Sequence, residues 1–188
     1  HYRTILNEQI ATGNYVTDAN TFKNLILSSV TADVNKFSYQ STTNMTNNIA
    51  STDISVTSNT APGLTGLMSA RNTYLSSQSD FTNTQPSITS VANSATPTVG
   101  SAVTITATIT NVTASSVYLG YRTSKLAIFA KTQMYDDGLH NDGAANDNVY
   151  GATITINNAL TQYYIYAENT NVGAFSPARA EYEFYSLN

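Results

Sequence analysis

Near Gln85 the apolar residues change their spacing, and that switch constrains the fold more than any other feature of the chain. Upstream, apolar side chains recur every three to four residues, the repeat that gathers them on one face of a helix. Tyr2, Ile5, Leu6 and Ile10 share such a face, with Gly13 as the expected stop. Asp18 is expected to cap a second helix through Thr21, with a stripe of Phe22, Leu25, Ile26, Val30, Val34 and Phe37. A third helix is predicted where Leu64, Leu67, Met68, Arg71, Tyr74 and Leu75 follow the same rule. Residues 41–62, rich in Ser, Thr and Asn and lacking a period, read as a long loop.

Downstream the period is two. The stretch "SAVTITATITN" sets Val103, Ile105, Ala107 and Ile109 on one face and Thr104, Thr106, Thr108 and Thr110 on the other, as in a half-buried strand. Further strand-like runs lie at 87–91, 115–123, 126–135, 149–156, 162–169 and 179–187, which makes seven strands with turn signals between them. The predicted class is α+β. A helical segment, 1–84, precedes a seven-stranded immunoglobulin-like or fibronectin-III-like β-sandwich, 85–188. "NTQPS" (83–87) is the expected linker, because Pro86 ends the helical side and opens the first strand.

Composition narrows the function classes. Eight Lys and Arg and a net charge of −4 argue against a nucleic-acid partner. With no Cys, disulfides, zinc–thiolate sites and a Cys nucleophile are excluded. No apolar run reaches the ~18–20 residues of a membrane span. Only 11% of residues are charged, and Ser, Thr, Asn and Tyr fill the gap, a composition common in secreted and surface proteins. The chain opens on His1 and runs straight into a helical pattern, as expected for the tail of something longer.

"MYDDGLHNDGAANDNVYGATI" (134–154) is the one stretch dense in chemistry-bearing side chains. Two readings stand side by side. In one, Asp136, Asp137, Asp142 and Asp147, with Asn141 or Asn146, supply oxygen ligands to calcium, a hard cation that takes six to eight oxygens from flexible loops. The spacing does not fit an EF-hand. In the other, the Asp and Asn side chains build turns of their own, with Gly138 and Gly143 at positive φ. Beyond calcium no cofactor is suggested. His140 is a weak candidate for a base or a zinc ligand, because structural zinc prefers Cys and His in fours. Tyr150 is expected to pin the loop, ring on the core and hydroxyl to the backbone.

Tyr164 and Tyr166 share one strand face, a candidate platform for stacking on sugar rings; packing against a neighbouring strand is the competing role. Glu181 and Glu183 alternate with Tyr182 and Phe184, as on the solvent face of an edge strand. No two acids are placed as a glycosidase pair would need.

"HYRTILNEQI" and "LMSARNTYLSSQSDF" resemble the C-terminal helices of the CotH family, the spore coat protein H-like proteins with an atypical kinase-like fold. The runs "PSITSV", "VTITATIT", "YDDGLHNDGAANDNVYGATI" and "YYIYAENTNVGAFSPARAEYEF" resemble the β-sandwich that follows that domain in large bacterial surface proteins. Related loops read "DDG…GD…AGDGVY"; here Asn146 and Asn148 replace the last two glycines, which is expected to change the turn. The resemblance implies a non-catalytic C-terminal module, secreted or on the bacterial cell surface, whose partner is the upstream kinase-like domain of the same protein. Surface glycans or other surface proteins are further candidate partners. No Gly-rich loop with a following Lys occurs, and "GLTG" (63–66) lacks the GK[ST] ending, so the phosphate-handling parts of a kinase are not in this segment.

Overall fold

The computed structural model describes residues 1–37, 54–56, 59–61 and 63–187. The chain divides into two compact units, His1–Thr82 and Asn83–Asn188.

The first unit is helical. Helix α1 (Tyr2–Ile5) runs into a π-helical turn at Leu6–Ile10, where Ala11 donates its N–H to the Leu6 carbonyl at 2.8 Å. Helix α2 spans Asn14–Phe37, α3 Leu64–Ser76 and α4 Ser79–Thr82. Gly13 sits at φ 74°, the left-handed conformation expected of a helix stop. The second helix therefore starts at Asn14, directly after that stop, and Asp18 lies inside it rather than at its cap. Both α2 and α3 contact the π-turn, where Leu6 is buried. Of the expected loop at 41–62, the described residues are strands β1 (Ile54–Val56) and β2 (Asn59–Ala61), which pair antiparallel; the rest lies outside the described residues.

The second unit contains eight strands in two antiparallel sheets. Strands β3 (Ser87–Asn93), β4 (Ala102–Thr110) and β7 (Val149–Thr155) form one, in the order β3-β4-β7. The other is ordered β10-β8-β5-β6, from β5 (Val117–Arg122), β6 (Ala130–Gln133), β8 (Thr161–Glu168) and β10 (Tyr185–Leu187). Strand β9 (Gly173–Ser176) also pairs with β8, taking 165–168 while β10 takes 161–163. The expected strand at 126–135 is shortened to Ala130–Gln133. The run at 179–187 keeps only Tyr185–Leu187, because residues before it turn back on themselves, with Arg179 accepting from the N–H groups of Tyr182 and Glu183.

The inner faces of the two sheets share one core. Val103, Ile105, Ala107 and Ile109 of β4 are wholly buried, as their alternation predicts, and meet Val117 and Leu119 of β5 and Tyr163, Ile165 and Ala167 of β8. After β6 the chain changes sheets. Met134 is buried in the core, and Tyr135 exchanges both backbone hydrogen bonds with Gly151 of β7, at 2.9 and 2.7 Å. This crossover launches the aspartate-rich loop, which returns directly into β7.

Candidate functional site

The loop 136–148 holds itself together by turning its carboxylates onto backbone N–H groups. Asp142 is the centre. It is buried, its Oδ2 accepts from the N–H of Asp137 (2.7 Å) and Gly138 (2.9 Å), and its Oδ1 accepts from His140 N–H (3.0 Å). Asp136 bridges the two ends of the loop, accepting from the N–H groups of Asp147 (3.1 Å) and Asn148 (3.0 Å). Asp147 in turn accepts from Val149 (2.9 Å) and Ala144 (3.1 Å). Asp137 accepts from Leu139 N–H at 2.9 Å and pairs with His140 Nδ1 at 2.9 Å, and the His140 ring stacks on Tyr135 with centroids 4.3 Å apart.

Such tight wrapping requires backbone in the left-handed region. Gly138 and Gly143 have φ of 73° and 113°, and Asn141, Asn146 and Asn148 have φ of 56°, 63° and 67°. Asn is among the few non-glycine residues that adopt this conformation readily. Asn146 and Asn148 thus adopt the left-handed backbone that a glycine would also provide. A glycine also decides how the loop lies on the sheet. A Cβ on Gly151 would stand 2.8 Å from the His140 carbonyl oxygen and 2.9 Å from Asp142 Cβ, so the loop rests on the bare backbone of β7. Thr104 of β4 is covered as well; its hydroxyl bonds Thr153 at 2.8 Å and accepts from Asn141 Nδ2 at 3.4 Å.

The electrostatics follow from these contacts. Burial pushes the Asp142 carboxyl up, but the N–H groups of Gly138, His140 and Asp137 outweigh it and leave its pKa below the ordinary value. His140 beside Asp137, with Leu139 N–H, lowers that carboxyl too. Tyr150 has its ring in the core, and burial, followed by the charge of Asp136, pushes its hydroxyl up.

Asp136, Asp137, Asp142 and Asp147, the candidate calcium ligands, each accept from backbone N–H groups, the turn-building role that the second reading gives them. Among the described residues no group of three or more His, Asp or Glu side chains is arranged to hold a metal ion.

The Tyr face of β8 is also filled from within. Tyr164 lies over Gly120 of β5, where a Cβ would come within 2.3 Å of its ring. Phe129 and Phe175 approach the ring edge-on, with centroids at 5.0 and 5.9 Å, and its hydroxyl donates to Glu181 at 3.2 Å. With 2% of its surface exposed, Tyr164 offers no open ring to a sugar, a correction to the stacking-platform expectation. Tyr166 is half-buried, packs on Phe175, donates to Glu168 and has Lys131 Nζ 5.9 Å from its ring centre. Burial, then the hydrogen-bonded carboxylate, pushes Tyr164 and Tyr166 to about 12.

Sequence reasoning missed Arg122. Its Nε donates to Gln162 at 2.8 Å, and its guanidinium lies over the rings of Phe129 and Phe184, 4.5 and 5.3 Å from their centres. Gly120, an interior strand glycine, was a signal for the close approach of Tyr164, but the sequence carries none for the partners of Arg122. Compared with protein-family models and with curated proteins, the chain matches none. An open hollow of about 480 Å³ beside the β8–β9 turn includes Glu168, whose carboxylate accepts from the Tyr166 hydroxyl. Among the described residues no helix is long and apolar enough to cross a membrane.

Proposed function

We propose that this chain is a non-catalytic module of a secreted or cell-surface bacterial protein, structural or adhesive, which supports or docks a kinase-like domain upstream of it. The observation that carries the reading is the apolar surface left open on α2. Phe22 is 66%, Leu25 74% and Ile26 46% exposed, in the i, i+3, i+4 pattern of a helix made to lie against another apolar surface. The resemblance to the end of a CotH-type domain supplies the expected occupant. The sandwich, in this reading, is of the fibronectin-III type. The strand after β5 pairs back onto β5 rather than joining the first sheet, as it does in an immunoglobulin constant domain, and that supports the choice. The commitment of the loop's carboxylates to backbone donors supports a scaffold rather than an enzyme.

The test is binding of the full chain to a separately produced CotH-type kinase-like domain. Phe22→Asp with Leu25→Asp is expected to abolish it, while far-ultraviolet circular dichroism stays unchanged. An absence of binding, or phosphotransfer by this chain alone, overturns the proposal.

A further inference from the structure

The connection between β5 and β6 carries a feature that the docking of α2 does not use. Leu126 is 98% and Ile128 91% exposed, so neither side chain rests on its own protein. Both lie at the tip of the short connection between Arg122 and Ala130. The base of the tip is fixed: Arg122 at the end of β5 lies between Phe129, next to Ile128, and Phe184 of the segment that precedes β10. That second segment presents Tyr182, 88% exposed. One guanidinium therefore joins two segments, each of which offers an apolar side chain to the outside.

Charge supplies the second argument. Lys125 is exposed beside Leu126, and between Asp80 and Asp136 the chain has no acidic residue, while Arg122, Lys125 and Lys131 are three of its eight basic ones. The acids near Tyr182 are engaged: Glu181 accepts from the Tyr164 hydroxyl, and Glu183 lies 3.8 Å from Arg179. Exposed aliphatic side chains beside a Lys are the chemistry of insertion into an anionic lipid surface, and an exposed Tyr on a neighbouring segment suits its boundary. The acyl region takes the aliphatic groups, the headgroups take the amines, and the phenol sits at the boundary. A folded protein partner would need a pocket shaped to the tip and favours aromatic and Arg anchors; a bilayer needs no matching shape.

We infer that the β5–β6 tip, through Leu126 and Ile128 with Lys125, is a peripheral attachment site for an anionic lipid bilayer. The chain has no Trp, so Leu126→Trp gives a single reporter in the full-length chain. With vesicles of phosphatidylglycerol and phosphatidylcholine, its emission shifts to the blue and is quenched by lipids brominated on the acyl chain. Val99→Trp, 64% exposed on the β3–β4 connection, keeps the emission of a water-exposed indole. In vesicle sedimentation of the otherwise native chain, Ile128→Asp lowers the partition coefficient by roughly tenfold or more, the loss expected when one aliphatic side chain is kept out of an apolar phase. Lys125→Glu weakens binding to anionic vesicles and leaves the weaker binding to pure phosphatidylcholine unchanged. Absence of sedimentation with vesicles overturns the inference. So does an equal blue shift without lipid: that outcome, with a doubled mass by light scattering that Ile128→Asp abolishes, assigns the tip to a second copy of the chain.

Discussion

The two units spend their apolar residues differently. In the sandwich, the alternating residues of β4 are wholly buried between two sheets. In the helical unit, α2 has an equally regular stripe, yet Phe22 and Leu25 keep 66% and 74% of their surface in water. Periodicity thus states which face is meant to be covered, and only the presence of a second layer states whether it is. A sheet with its antiparallel neighbour carries its second layer in the same stretch of chain. A long helix followed by few apolar contacts does not.

The largest expected effect tests this contrast directly. Ile105→Ala, which empties a fully buried site, should lower stability by about 2–5 kcal/mol, whereas Leu25→Ala should change it by no more than about 0.5 kcal/mol. Urea unfolding of each variant measures both. A large loss at Leu25 would mean that the stripe is already covered and would erase the contrast.

Next in size come the loop carboxylates, which sharpen the comparison by asking how much a polar substructure adds to the sandwich. Asp142→Ala leaves three backbone donors without their acceptor and should cost about 2–3 kcal/mol. Asp147→Ala, on the exposed side of the loop, should cost about 1 kcal/mol. Both losses should be the same with and without EDTA, and the wild-type melting curve should not move on chelation. A drop in melting temperature with EDTA would return the loop to the cation reading.

A smaller, graded effect is expected at high pH, and it falls on the sandwich. Tyr163, Tyr164 and Tyr166 are held at about 12, against an ordinary 10.0, with burial as the leading cause in each. The fold favours their neutral form. The stability they contribute is fully present below pH 10 and is lost as pH rises from 10 towards 12. Absorbance titration of the phenolates should show a late phase well above pH 10 from these groups, with Tyr164→Phe removing one late step. A single titration centred at 10 would contradict the closed aromatic face.

The smallest expected effect lies at the acid end. Asp142 and Asp137 have pKa values below the ordinary 3.8, so their charged forms are favoured by folding. Their contribution is present above about pH 4 and disappears as pH falls through their lowered values. In acid unfolding followed by circular dichroism, Asp142→Asn should flatten the fall below pH 4. Asp137→Asn should alter it less, because its side chain is 38% exposed.

Much of the candidate site was legible as a set of residue types but not as an arrangement. That Asp, Asn and Gly crowd into 136–148 is plain from the sequence, and so is the alternative that they build turns. What those letters omit is the direction of each carboxylate. Asp142 turns inward because Gly151 leaves room for the loop to lie on β7, and Gly151 is eleven or more residues from every donor from which Asp142 accepts. The same holds for Tyr164. Its face follows from alternation, but its cover comes from Phe129, Phe175 and Glu181, on three other segments.

The sequence by itself determined the division near Gln85, the helical and strand periods on either side, the inward set of β4 and the polar turn chemistry of the aspartate loop. Each of these depends on interactions between residues a few positions apart, where propensity and spacing act. Tertiary structure alone decided the shortened β6, with Leu126 and Ile128 left outside, the added strand β9, and which backbone N–H groups each of the loop's carboxylates accepts from. Those outcomes turn on which distant segment arrives to cover a surface or to supply a donor, and a local pattern carries no record of its eventual neighbour.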